Sequence, residues 1–199
     1  MEQYVKQVLD EADKALQAFR QNQPAIQNVA NAGQLLAECF QKRNKVYSCG
    51  NGGSMCDAMH FAEELSGRFR QDRLGLAATA ISDPSHISCV GNDYGYDSVF
   101  SRYVEAHGRP GDVLLAISTS GSSRNVLKAC EVAKSLDLKI ISLTGRPESE
   151  IGKCADIDIC TPGGRFADRV QELHIKVIHT LIELVERHLF PDNYSAEKS

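Results

Sequence analysis

The sequence predicts an α/β protein built as a three-layer sandwich, a parallel five-stranded sheet with helices on both faces. Three observations carry this. From Lys45 onward short apolar runs alternate with helical stretches, the pattern of strands covered on both sides by crossover helices. The glycine-rich and hydroxyl-rich segments follow the strands, at the carboxyl edge where open α/β sheets hold ligands. The 199 residues suffice for one domain with a sizeable core.

Two amphipathic helices come first, within residues 1–42. Tyr4, Val5, Val8, Leu9, Ala12, Ala15, Leu16 and Phe19 keep the helical period, and Ile26, Val29, Ala30, Gly33, Leu36 and Phe40 resume it after the Gln21–Pro24 break. The core that follows brings its own helices, so part of this apolar surface is expected to meet another subunit. The core, residues 45–190, reads as strands Val46–Cys49, Ala77–Ser82, Val113–Ser118, Ile140–Thr144 and Ile157–Cys160. Helices are expected over Ser54–Arg70, about Ser85–Val90, Ser98–His107, Ser122–Leu136 and Ala167–Leu189. Residues 191–199 read as a disordered tail.

Composition narrows the function. A net charge of −4 and a pI near 5.9 argue against direct nucleic-acid binding and against an anionic membrane surface. No apolar run approaches the ~18 residues that cross a bilayer, and Met1-Glu2-Gln3 does not open a secretory leader; a cytoplasmic protein is expected. Seven cysteines, Cys39, Cys49, Cys56, Cys89, Cys130, Cys154 and Cys160, are scattered without a CxxC pair, as small buried hydrophobes in a reducing compartment would be. No Gly-Lys-Ser/Thr element is present to hold a nucleotide.

The stretch Ser48–Glu64 organises the chemistry. A strand runs into Gly50, Asn51, Gly52 and Gly53, and a helix opens at Ser54. Glycines there let the backbone approach a ligand, and the helix start points free N–H groups into the same space. His60 and Glu64 stand four apart and share one face of that helix, whereas Glu63 is rotated away by about 100°. An ordinary solvated face would give the same HxxxE spacing; its place beside the glycine turn favours a site. On the last helix Gln171 and His179 fall within ~80° of each other, while His174 lies on the other side as a packing or surface residue. If the two helices meet, His60, Glu64, Gln171 and His179 offer two nitrogen and two oxygen ligands, a zinc donor set.

The loop Ser118, Thr119, Ser120, Gly121, Ser122, Ser123 follows a strand and opens a helix. Hydroxyls and helix-start amides are what a phosphate monoester needs, although each residue alone would serve as a turn or cap. Asn92 and Asp93 divide evenly between capping and binding sugar hydroxyls.

Taken together, SCGNGGSMCDAMHFAEEL, ISDPSHISCVGNDYGYDSVFSRYVEAHGRPGDVLLAISTSGSS and ADRVQELHIKVIHTLIE resemble the sugar isomerase (SIS) domain family, of flavodoxin-like fold. Within it the chain is similar to the bacterial phosphoheptose isomerases over about Leu35 to Glu186. The resemblance implies conversion of sedoheptulose 7-phosphate to D-glycero-D-manno-heptose 7-phosphate, the first step towards the ADP-heptose of the lipopolysaccharide core. It implies a homotetramer with one zinc per subunit, held by His60, Glu64, Gln171 and His179. It puts sugar and phosphate contacts on Asn51, Gly52, Gly53, Glu64, Asn92, Asp93, Ser118, Thr119, Ser120, Ser123 and Gln171. Ketose–aldose exchange moves a proton between C1 and C2 through an enediol, which requires a carboxylate base and an acid for the carbonyl oxygen: Glu64 is assigned the base and His179 the acid. Base and metal ligand are competing roles for one carboxylate.

Two positions depart from the family pattern. Met55 stands where a histidine is usual, and Gly163-Gly164-Arg165-Phe166 replaces a His-Phe-Gly-Tyr-like loop, which leaves a role for Asp168 open. A different class of relative, a non-catalytic tetrameric SIS adaptor of the replication initiator, is echoed in LLAIST and in Leu189-Phe190-Pro191-Asp192, but a scaffold needs neither Glu64 nor His179. A SIS regulator would need a DNA-binding appendage.

Overall fold

The computed structural model describes residues 1–164 and 166–198. Its five strands, β1 (Val46–Gly50), β2 (Ala78–Ala80), β3 (Val113–Ser118), β4 (Lys139–Thr144) and β5 (Ile157–Cys160), form one sheet in the order β2-β1-β3-β4-β5. Every pairing is parallel, with Val46 opposite both Ala78 and Val113, and Ser118 opposite Thr144. This order reverses the direction of strand progression between β1 and β3, and a parallel α/β sheet opens its ligand crevice at such a switch point.

Alternation along β3 separates two cores. Val113, Leu115 and Ile117 join a cluster beneath α2 (Gln23–Gln41), α3 (Gly53–Ser66) and α8 (Ala167–Leu189). Leu114 and Ala116 join the opposite cluster with α4 (Pro84–Tyr94), α5 (Ser101–His107), α6 (Arg124–Ser135) and α7 (Glu150–Cys154). The three layers expected from the sequence are therefore present. Helix α1 (Glu2–Gln21) buries none of its residues, and Tyr4, Val5, Val8 and Leu9 are exposed.

Boundaries shift where local chemistry outweighs periodicity. Strand β2 keeps only the middle of its expected run. Helix α3 stops at Ser66, four residues early, because the chain turns at Gly67 and the Arg73 side chain takes over the helix's last carbonyls. Helix α4 runs past Val90 to Tyr94: the Asp83 carboxylate accepts from the His86 N–H, Pro84 occupies the first turn, and Gly95 at φ 82° ends it. The expected helix Ser98–His107 divides into a 3-10 turn, Tyr96–Ser98, and α5. Helix α7, one turn capped by Ser149, is too short to show a period and was not expected.

Two further expectations are corrected. Pro191–Lys198 is a 3-10 helix rather than a disordered tail, because Tyr194 is buried and its hydroxyl donates to Glu186 at 2.7 Å. Of the cysteines, Cys39, Cys49 and Cys130 are buried, whereas Cys56 and Cys89 are exposed and Cys154 and Cys160 partly so; α3 and α4 turn Cys56 and Cys89 towards solvent.

Candidate active site

Helix α3 begins where β1 leaves the sheet. Gly52, at φ 56°, turns the chain into the helix. Gly53 matters through what lies against it: a Cβ at that position would stand 2.5 Å from Gln171 Nε2, so a larger residue would push the end of that α8 side chain off the start of α3. Two turns along, the same helices meet again. His179 Nε2 lies 3.1 Å from His60 Nε2, and His60 Nε2 lies 3.4 Å from Glu64 Oε1. Residues far apart in the chain thus meet at one point, on the helix face expected to carry them.

Burial sets the protonation tendencies. The Glu64 carboxyl is pushed up, first by its loss of water and then by neighbouring Glu63, with His60 pulling the other way. His179 is pushed down, chiefly by burial and then by His60. Both shifts favour the neutral form. Asp57, one turn before His60, has its carboxyl raised to about 6 by burial, and among the described residues its Oδ2 has no hydrogen-bond partner.

The ligand atoms of His60, Glu63 and Glu64 all lie within 4.8 Å of one another, a group able to hold a metal ion. Glu63 belongs to it although the helical wheel turns it away, because it is exposed and its long side chain can swing back. His179 reaches the same point through His60, and Gln171 sits at the other end of the α3–α8 contact, against Gly53.

The opposite wall is made of amides and hydroxyls. Asn51 and Asn125 exchange amide hydrogen bonds of 2.9 and 2.8 Å across the crevice between β1 and β3, and Tyr96 donates to Asn51 Oδ1 at 3.1 Å. Asn125 and Tyr96 were not singled out in the sequence; Asn125 is one polar residue in a helical stretch and Tyr96 lies between two helices, and only the switch point brings them to Asn51. In the loop after β3, Ser118 Oγ lies 3.4 Å from Ser120 Oγ and 3.1 Å from Ser123 Oγ, and accepts from Gly121 N–H at 3.2 Å. Ser122 N–H and Oγ–H both donate to Ser120 Oγ at 3.2 Å. Thr119 and Ser120 line a cavity of ≈ 260 Å³ with Arg146, a cation the sequence reading overlooked.

Several expected residues sit differently. Asn92 and Asp93 occupy the last turn of α4 rather than a loop; both are exposed, and Asn92 Nδ2 donates to Asp93 Oδ1 at 2.7 Å. His174 is fully buried and packs beneath α8, its Nε2 3.3 Å from Thr144 O. Met55 packs against the α4–α7 core. Asp168 pairs with Arg169 at 3.3 Å, and Arg165 in the preceding loop lies outside the described residues.

Comparison with known proteins agrees with this architecture. The SIS domain family matches residues 4–145. A phosphoheptose isomerase of Aeromonas salmonicida is 56% identical over 188 residues, 94% of this chain and 98% of that protein. The solved structure of phosphoheptose isomerase GmhA from Neisseria gonorrhoeae superposes with a TM-score of 0.86 at 38% identity, covering 93% of this chain and 98% of the other. A phosphoheptose isomerase from Francisella tularensis gives 0.85 at 33% identity, covering 93% and 97%. A parallel sheet with a hydroxyl loop at its switch point, a histidine–carboxylate cluster between two helices, and relatives alike over nearly their whole length identify the chain as a member of the SIS domain family, on its phosphoheptose isomerase branch.

Proposed function

We propose that this chain is an aldose–ketose isomerase that converts sedoheptulose 7-phosphate to D-glycero-D-manno-heptose 7-phosphate, supplying heptose for the lipopolysaccharide core. The observation that carries the reading is the meeting of Glu64 and His179 around His60, with contacts of 3.4 and 3.1 Å, on helices that bound a crevice with a hydroxyl loop. Glu64 takes the C1 proton of the ketose while His179 donates to the C2 oxygen, giving the enediol. Glu64 then returns the proton to C2, and His179 removes the O1 proton as the aldehyde forms at C1. The raised Glu64 carboxyl is a stronger base than a solvated one, and the lowered His179 a stronger acid when protonated. Both shifts also favour the neutral form, so the reaction needs Glu64 ionised and His179 protonated against them.

Zinc fits the donor set. Tetrahedral zinc with nitrogen ligands at 2.0–2.1 Å separates neighbouring donor atoms by about 3.3 Å, close to the 3.1 and 3.4 Å found here. His60, Glu64 and His179 would hold it, one ion per subunit, whereas Gln171, the fourth donor that the resemblance implies, rests two turns away against Gly53. When bound it would polarise the sugar's carbonyl and hydroxyl oxygens. The Ser118–Ser123 hydroxyls, the α6 start and Arg146 receive the phosphate; Asn51, Gly52 and Gly53 face the sugar, with Asn92 and Asp93 at the mouth. No nucleotide takes part.

A homo-oligomer, a tetramer in this reading, is supported by the unburied apolar face of α1. No described helix is long and apolar enough to cross a membrane, in keeping with a cytoplasmic enzyme. The adaptor reading is disfavoured because acid and base are both present and in contact with His60.

The deciding experiment incubates the protein with sedoheptulose 7-phosphate and follows aldose formation. Turnover by the wild type, lost in Glu64→Gln and His179→Gln, supports the enzyme; no turnover with or without Zn²⁺ refutes it. Elemental analysis should find about one zinc per chain.

A further inference from the structure

The helices that carry the proposed acid and base are joined a second time, by a buried polar clasp in which the side chains of Glu64 and His179 take no part. Arg73 lies beyond α3 with its side chain 1% exposed, and its Nε donates to Glu186 Oε1 of α8 at 2.8 Å; the Glu186 side chain is also 1% exposed. The rest of the guanidinium faces the end of α3. Nη2 donates to the carbonyl of Glu64 at 2.6 Å, and Nη1 to those of Leu65 at 2.7 Å, Gly67 at 2.8 Å and Leu74 at 3.3 Å. The carbonyls of a helix's last turn have no partner within the helix, so Arg73 serves as the cap of α3. The remaining oxygen of Glu186, Oε2, accepts from Tyr194 Oη at 2.7 Å, which brings in the segment after α8. Arg187 covers the Tyr194 ring from 4.4 Å.

We infer that Arg73, Glu186 and Tyr194 are positioning residues, which fix the register of α3 against α8 so that Glu64 and His179 meet. The inference rests on the reading of those two residues as base and acid. One end of the clasp grips the main chain of Glu64 itself. The other is anchored on α8, where Glu186 follows His179 by seven residues, about two helical turns. A buried ion pair is poor value as a stabiliser, since well-packed apolar residues often replace it without loss. What it supplies is direction: a guanidinium bonding four carbonyls and a carboxylate tolerates little sliding between the helices. Misplacing a reacting group by about 1 Å can cost a hundredfold in rate.

The test compares wild type with Glu186→Gln and Tyr194→Phe. The readings are kcat and KM for sedoheptulose 7-phosphate at 25 °C, Zn²⁺ affinity by chelator competition, circular dichroism and melting temperature. If the clasp positions the site, kcat falls about tenfold in Glu186→Gln and about threefold in Tyr194→Phe, with KM changed less than about twofold. Zn²⁺ affinity falls with kcat, and both variants keep wild-type circular dichroism. Variants that melt lower but keep wild-type kcat and Zn²⁺ affinity, or that raise KM alone, overturn the inference. Should Glu186→Gln fail to fold, Tyr194→Phe decides, since it loses a single hydroxyl. A wild type that makes no aldose refutes the isomerase reading instead; the clasp is then judged on Zn²⁺ affinity, and equal affinity in wild type and variants overturns it.

Discussion

The two ends of the crevice are built in opposite ways. The hydroxyl end is contiguous: Ser118, Ser120, Ser122 and Ser123 bond one another and the Gly121 N–H within one turn between β3 and α6. The reacting end is assembled at a distance, His60 meeting His179 across 119 residues of chain. A contiguous loop carries spare donors and can lose one. A site shared by two helices has one residue for each task, so it should fail whenever either helix shifts or either side chain changes.

The largest effect should therefore come from the reacting end. Glu64→Gln and His179→Gln keep the size and much of the hydrogen bonding of each side chain but remove its proton chemistry. Each should lower kcat about a thousandfold, about 4 kcal/mol of barrier. Calorimetric binding of sedoheptulose 7-phosphate should persist, because the phosphate loop is intact. A variant keeping more than about a tenth of the rate would show that the contrast is misdrawn.

A second test separates two histidines of one helix. His174 is fully buried, and burial lowers its pKa to about 4, with the Thr144 carbonyl pulling weakly the other way. It folds neutral, whereas the unfolded chain takes up a proton near the ordinary pH 6.5. Below 6.5 the unfolded state binds more protons, so stability should fall as pH drops from 6.5 to about 4 and stay flat above that window. The full contribution is about 3 kcal/mol at most. Urea titrations at pH 7 and pH 5 should show the loss, and His174→Gln should flatten this part of the slope. Equal slopes would mean that His174 is charged or solvated in the folded protein.

Gly53 tests whether the helix contact itself matters. Alanine would put a methyl 2.5 Å from Gln171 Nε2 and 2.9 Å from its Cδ, so the flexible end of the glutamine must give way. Gly53→Ala should lower kcat about tenfold, about 1.4 kcal/mol, with a melting temperature close to wild type. A large fall in stability with unchanged kcat would make Gly53 a packing position only.

This contrast also decides what could be read from the sequence. Short apolar runs and helical periods, with the turn glycines, placed all five strands and the long helices to within a few residues. The serine loop was legible because its residues are neighbours in the chain. His60 and Glu64 were visible as a pair for the same reason, being four apart on one helix. Spacing alone could not bring His179 to them; that came from resemblance. Asn125, Tyr96 and Arg146 were missed because each becomes polar wall only when separate strands end side by side. Helix α7 is held by a cap and by the Ile151 N–H donating to Gly121 O at 3.0 Å, and neither leaves a periodic trace. The tail was misjudged because Tyr194, one aromatic in a polar segment, is buried by a partner eight residues earlier.

The smallest effects belong to the hydroxyl loop, and their ranking follows from its wiring. Ser118 Oγ is the hub, touching two other hydroxyls and holding the Gly121 N–H. Ser118→Ala leaves that buried N–H without its side-chain acceptor and frees Ser120 and Ser123 to rotate. A lost neutral hydrogen bond is worth about 1 kcal/mol, so KM should rise about fivefold while kcat moves less than about twofold. Ser123→Ala removes one spoke and should raise KM about twofold. Steady-state kinetics on both variants would check the order. If Ser123→Ala costs more than Ser118→Ala, the loop binds through the α6 start rather than through the hub. If kcat falls with KM constant, the two ends of the crevice are coupled, and the division between a binding end and a reacting end must be redrawn.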